Sequence, residues 1–499
     1  MKTKNFLSLA AMALLMTACS NEDTFVPYDT IEPENTANEI TIIATLSGDA
    51  EATTRGVSDN GTDIIAKWEV DEEIAVLFKV GSTDTKSVAK ITNVDGSGTA
   101  TIQFTVPFTT AEDTPCTLVY PASAANDAKT GVKTYAELFA TQNGTLDGLD
   151  VRVGEGTIQV ATPGLTVSTN PTAQFAIFKF TVKDIASTNL DASELKISDG
   201  AGNVITTITP ASAANVLYAA LPPVATAELK WFDATVSGKH YINKGSAILK
   251  ARNYYPQTLK LATLGDLMAA NGKFYADAAA ISAASTTAIG VIAYLGNDAT
   301  TEAISDGGGH GLVLCLKNAA SAIAWSTNIS SQAYTGNAFV TDVAGLTRSE
   351  GVSGYSATAD LATDATNYPA AAAAKNYTDL TAPTGTTGWF LPSAQQWVKM
   401  QTGLGALEES SITWNSWFDP SHTAADKWEN AIKKAGSGNY ESMSAYLFYW
   451  SSSESTVSYA VSLSVDPTGT GAGYGFSWSG TAYKNNAASD RRVRPVLAF

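Results

Sequence analysis

The chain has 499 residues, with 31 Lys plus Arg against 48 Asp plus Glu, a formal net charge of -17 at pH 7 and only 16% charged residues. An acidic surface repels phosphate backbones, which argues against nucleic acid as a partner, because that affinity comes from basic side chains neutralising phosphates. The length allows about three domains, and sparse charge with 39 Gly and abundant Thr, Ser and Ala predicts short strands joined by tight turns.

At the N-terminus, Lys2 and Lys4 precede an apolar run from Phe6 to Met16 and the small-residue segment Thr17-Ala18-Cys19-Ser20. That order is a secretion signal, residues 1–18. The run is shorter than the roughly 20 residues a membrane-spanning helix needs. Leu15-Met16-Thr17-Ala18-Cys19 resembles the bacterial lipobox. The resemblance implies that Cys19 is lipidated as the first residue of the mature protein, and acyl chains worth roughly 0.8 kcal/mol per buried methylene would make the anchor essentially permanent. Ser20-Asn21-Glu22-Asp23 looks like the acidic export tag of surface lipoproteins of the Bacteroides group. Residues 19–38, polar and acidic with Pro27 and Pro33, read as a flexible tether.

Strands begin after the tether. Glu39 to Leu46 is rich in β-branched residues and is bounded by Ser47-Gly48; Trp68 to Phe78 reads as a turn followed by a strand; further strands are expected at Ala100 to Val106 and Thr117 to Tyr120. Their regular spacing predicts an antiparallel sandwich over residues 39–162. A second sandwich, 163–261, is expected from Ala176 to Val182, Glu194 to Ile197, Val204 to Ile208, Val216 to Ala220 and Glu228 to Val236, closing on a strand that includes Tyr254 to Leu259. From 262 to 499 the texture changes. Gly, Trp and Ala become frequent, Ser393 to Leu404 suits a helix, Ala357 to Lys375 suits either a short helix or a loop, and Tyr446 to Trp450 and Arg491 to Phe499 are strand-like. Val493, Leu497 and Phe499 share one face by period two, so the last strand is expected to be buried. Glu454 is then placed to pair with Arg491 or Arg494. Cys116 and Cys315 lie far apart and read as two buried free thiols, although an oxidising compartment permits a bridge.

Residues 38–260 resemble the fimbrillin family of Bacteroides-type lipoproteins. The resemblance rests on Thr53-Thr54-Arg55-Gly56, Lys67 through Val76, Val119-Tyr120-Pro121-Ala122 and Thr141-Gln142-Asn143-Gly144-Thr145-Leu146. It implies two transthyretin-like antiparallel β-sandwich domains and a role in fimbriae or adhesion. Residues 262–499 resemble the C-type-lectin-like modules at the end of many surface lipoproteins of these bacteria. The matching residues are Gly388 through Trp397, Tyr449-Trp450-Ser451-Ser452-Ser453-Glu454 and Arg491 through Val496, with Ala288 through Ile292 and Gly311 through Leu314 as opening strands. This implies a terminal α+β domain. The paired cysteines and the calcium motifs of animal C-type lectins are missing, so no metal or cofactor is implied.

The fimbrillin resemblance further implies assembly with other fimbrial subunits by donor-strand exchange, after cleavage at Arg55; as a residue alone, Arg55 also fits a solvated loop charge. With its terminal strand committed to the lectin-like module, the chain would accept a strand without donating one, as a tip subunit or accessory adhesin at the outer membrane surface or on the fimbrium. Its contact with the membrane would be through the lipid anchor. Candidate contacts to a glycan or protein ligand are Tyr474, Phe476, Trp478 and Tyr483, whose alternative is core packing. The competing expectation is an anchored glycan-binding lipoprotein of a nutrient-uptake system. Catalysis is not expected: His240, His310 and His422 are isolated, no zinc helix or nucleophile elbow occurs, and the glycine-dense stretches 307–311 and 469–473 match no phosphate-binding loop.

Overall fold

The alternation of Glu39-Ile-Thr-Ile-Ile-Ala-Thr-Leu46 produces β1 (Glu39–Leu46), with Ile42, Ala44 and Leu46 turned into the core and Thr41, Ile43 and Thr45 turned out. The computed structural model describes residues 39–47, 58–59, 64–65, 68–296, 309–330, 354–412, 417–419, 423–443, 447–466, 475–488 and 490–499. Among them the chain is mainly β. After a two-residue ladder of β2 (Ser58–Asp59) with β3 (Ile64–Ile65), six more strands join β1 in one sheet: β4 (Glu73–Val80), β5 (Thr83–Val94), β6 (Ala100–Pro107), β7 (Thr114–Tyr120), β9 (Arg152–Gln159) and β10 (Gly164–Ala173). Their order is β1-β6-β5-β4-β7-β9-β10. The sheet curls so that β1 approaches β10, around a core that includes Ile42, Leu46, Ile74, Val76, Phe78, Ile102, Phe104, Leu118 and Ile158.

The sequence puts the first boundary at 162/163, but β10 lies beyond that point and still belongs to the first sheet, pairing with β9. In the opposite direction, β8 (Thr141–Gln142) leaves the first unit and pairs in parallel with β13 (Val204–Ile208) of the second. The amide of Thr209 donates to the Gln142 carbonyl at 2.8 Å, and the amide of Tyr218 donates to the Gly144 carbonyl at 2.9 Å. The Gln142 side chain is buried and fully engaged, donating to Thr206 Oγ1 and the Ala220 carbonyl and accepting from the Ala220 amide. Preceding it, α1 (Tyr135–Phe139) starts on a capping box of Thr134 with Glu137, and Phe139 packs with Ala75, Leu77 and Val119 against Ile177 and Ala220.

The second unit has two sheets facing across one core. β14 (Val216–Leu221), β11 (Ala176–Asp184) and β17 (Tyr254–Leu261) form one sheet; β16 (Lys239–Leu249), β15 (Val224–Val236), β12 (Glu194–Asp199), β13 and β8 form the other. Phe178, Phe180, Leu195, Ile197, Leu217, Ala234 and Leu259 fill the space between them.

The terminal lobe is α+β. Its first sheet runs β19 (Phe274–Tyr275), β18 (Leu267–Ala269), β20 (Ala288–Leu295), β21 (Gly311–Cys315), β28 (Val496–Ala498); its second runs β22 (Ala320–Ser321), β27 (Arg491–Val493), β24 (Leu447–Glu454), β25 (Tyr459–Asp466), β26 (Gly475–Tyr483), β23 (Trp417–Phe418). Among the described residues seven helices or helical turns flank them, the first being α2 (Ala278–Ala283); α5 (Ala394–Gly403) begins on the Ser393–Gln396 capping box and α6 (Thr423–Lys433) buries Trp428. The segment 357–375, which the sequence leaves open, is helical: α3 (Gly354–Leu361) and α4 (Pro369–Lys375), the latter opened by proline in its first turn.

The C-terminal run differs from a single strand. Pro495, without an amide hydrogen, breaks it, so Val493 sits in β27 within one sheet while Leu497 and Phe499 join the core beside the other. β28 is held on both sides, by β21 and by a bridge from Val496 to Phe390. Phe499 is fully buried and reaches the second unit: its ring centroid is 6.2 Å from that of Trp231 and 5.2 Å from that of Phe274. His310 stacks on Trp231 at 3.9 Å, and its amide donates to the Phe499 carbonyl at 2.6 Å. Thr263 Oγ1 donates to the His240 carbonyl at 2.9 Å across the same junction. The second unit and the terminal lobe therefore share one apolar core.

Candidate functional site

Two places answer to the sequence-based expectations. The first is the groove beneath β1. β1 ends the sheet order and is laddered along its whole length to β6, from Glu39 opposite Pro107 to Leu46 opposite Ala100. Ile42, Ala44 and Leu46 are buried, and burying an Ile or Leu side chain is worth roughly 1.5–3 kcal/mol. Without β1, the apolar trough would be open and the β6 backbone would present unpaired donors and acceptors, a combination that templates an added strand. Arg55 and Cys19 lie outside the described residues; β1 ends nine residues before Arg55.

The second place is the sheet β24-β25-β26 of the terminal lobe. Of the four aromatic candidates, Tyr474 lies outside the described residues. Phe476 and Trp478 are 0% and 2% exposed. Both sit at inward positions of β26, and Phe476 packs edge-on to Trp428 at 5.0 Å. Core packing takes both residues, so neither offers a face to a ligand. Tyr483 is 54% exposed and meets Tyr459, its register partner across the ladder, with ring centroids 4.7 Å apart. Tyr459 is the residue that sequence reasoning missed. Nothing in local spacing pairs it with Tyr483; only the β25–β26 register does.

Glu454 also differs from expectation. Its ion-pair partner is Lys484, at the end of β26, where both sequence candidates were arginines. Arg494 is fully buried and donates instead to the carbonyls of Cys315, at 3.2 Å, and Glu441, at 2.7 Å. Arg491 spreads over aromatic rings, 4.2 Å from the Phe448 centroid and 5.1 Å from that of Trp450. The three basic groups thus fix the end of the chain to the rest of the lobe: Lys484 to β24, Arg491 to the aromatic face of β24, and Arg494 to β21 and the loop at Glu441.

Burial pushes the thiols of Cys116 and Cys315 up to about 12, and both are free. His240 hydrogen-bonds Asp233 at 3.1 Å, which lifts its imidazole above the ordinary value. His310 is stacked on Trp231, and His422 lies outside the described residues.

No family model matches the chain, and no curated protein matches it. Among solved structures it is similar to a fimbrial protein from Bacteroides ovatus, 14% identical, covering 93% of this chain and 99% of that one with a TM-score of 0.32. It is also similar to a fimbrial assembly protein from Parabacteroides distasonis, 15% identical, covering 44% of this chain and 90% of that one with a TM-score of 0.26. Likeness of this degree assigns no role to the chain.

Proposed function

We propose that this chain is a cell-surface fimbrial subunit or accessory adhesin that acts by binding rather than catalysis, accepts a partner's strand in place of β1, and offers its terminal lobe to a ligand. The observation that carries the reading is β1 itself: an end strand with a single ladder and a complete inward row of side chains, able to leave as a unit. Cleavage at Arg55 would free it together with the lipid on Cys19. A strand from another subunit then satisfies trough and backbone together.

A tip position is supported by the packing of β28. Held between β21 and Phe390, it has no freedom to complete a neighbour. On this reading the first two units are transthyretin-like and the terminal lobe is C-type-lectin-like, and the pair of exposed Tyr483 and half-buried Tyr459 is the remaining aromatic candidate for ligand contact.

The test is the mass of the native surface form. A chain beginning at Gly56 and recovered with fimbriae is the expected result. A chain that retains Cys19 and binds polysaccharide as a monomer would overturn it in favour of an anchored glycan-binding lipoprotein.

A further inference from the structure

We infer that the groove beneath β1 selects its occupant by the order of side-chain sizes: large at the site of Ile42, small at that of Ala44, large at that of Leu46. This rests on the strand-exchange reading and adds to it the chemistry of the partner.

The order is written in the β1–β6 register. Ile42 lies opposite Phe104, Ala44 opposite Ile102, and Leu46 opposite Ala100. The last two pairs interdigitate, small against large and then large against small, and all six residues are at most 8% exposed. Leu165 and Val167 of β10 pack against the same cluster and close the far side of the trough. A larger side chain at the Ala44 site must enter volume that Ile102 already fills, and a smaller one at the Leu46 site leaves a void over Ala100; close-packed interiors tolerate neither well. Ile43 and Thr45 between these sites, and Thr41 before them, face solvent, so alternate positions of the occupant are unconstrained, while half-buried Ile40 adds a looser apolar site ahead of the three buried ones. The partner is thus an extended segment of another subunit, antiparallel to β6, reading large-x-small-x-large with apolar residues at the three inward sites.

The test exposes the full mature chain to an arginine-specific protease with an excess of labelled peptide carrying the sequence of Glu39 to Leu46. Co-elution of label with protein is measured. The same peptide with Ala44→Leu and Leu46→Ala together keeps its composition and reverses its order. Expected is retention of the first peptide and binding of the second weaker by about tenfold or more. Equal binding of both would overturn the size order while leaving strand exchange standing. Failure of the unaltered peptide would reject strand exchange itself. The intact chain carrying the same double exchange in β1 separates these cases without any exchange step: its melting temperature should fall, and an unchanged value would overturn the size order independently.

Discussion

Lys484 and Glu454, 30 residues apart, form an ion pair with side-chain exposures of 1% and 0%, and the Lys484 ammonium lies 5.2 Å from the centre of the Trp325 ring. Trp325 in turn donates its indole hydrogen to the Ser451 carbonyl at 2.7 Å, so the pair lies within a sealed aromatic layer. Removing one member leaves a charge in that layer without its counter-ion. Lys484→Met should cost about 3–5 kcal/mol, whereas Lys484→Met with Glu454→Leu should recover most of the loss. Urea denaturation of the two variants checks the contrast.

The second unit and the terminal lobe meet at Trp231, which is 1% exposed, carries His310 stacked on one face and has the Phe499 ring tilted against it at 6.2 Å. Trp231→Ala should cost about 3–5 kcal/mol. Because the same indole belongs to a core shared by both units, calorimetry should show the loss as a separation of two thermal transitions rather than a uniform shift. Gly311 at this junction has no room for a side chain, since a Cβ there would meet the Tyr294 carbonyl and come within 2.8 Å of the Phe499 ring.

His240 gives the junction a pH dependence. Its hydrogen bond with Asp233 raises its pKa above 6.5, so the folded chain holds the proton more tightly than the unfolded chain. Stability from the pair is fully present below the unfolded value and is lost as pH rises through the folded one. The groups are half exposed, so the effect is small: melting temperature should drift down as pH rises from about 6 to 8, and His240→Gln should lack that component.

Cys116 and Cys315 should resist alkylation in the native protein at neutral pH, because the thiolate is the reactive form and burial holds both near pH 12. In denaturant both should label. Mass spectrometry after iodoacetamide treatment reads the difference, and rapid native labelling would contradict their burial.

The parts of the fold legible in the sequence are those with strict alternation. β1 follows from β-branched residues bounded by Ser47-Gly48, and β13 follows from a run of the same kind. β10 was not legible as part of the first sheet, since its register shifts twice and most of its residues are exposed or half-buried. Phe476 and Trp478 lie near glycines and resemble loop aromatics, but period two within β26 turns them inward. The partner of Glu454 was not legible because ion pairs between distant strands leave no trace in spacing. The resemblance motif at Thr141 to Leu146 is visible in sequence, yet its physical purpose, a strand lent to the next unit, depends on which edge lies open nearby.

That loan constrains how such a chain can be inherited. With Thr141 and Gln142 completing a sheet built from residues beyond 190, and β10 returning to the earlier sheet, the two units are braided across their nominal border. A recombination event there would strip one half of an edge strand and the other of a partner. An exchange of the terminal lobe would therefore be tolerated only further along, and even there the incoming lobe must bring an aromatic that suits the indole of Trp231.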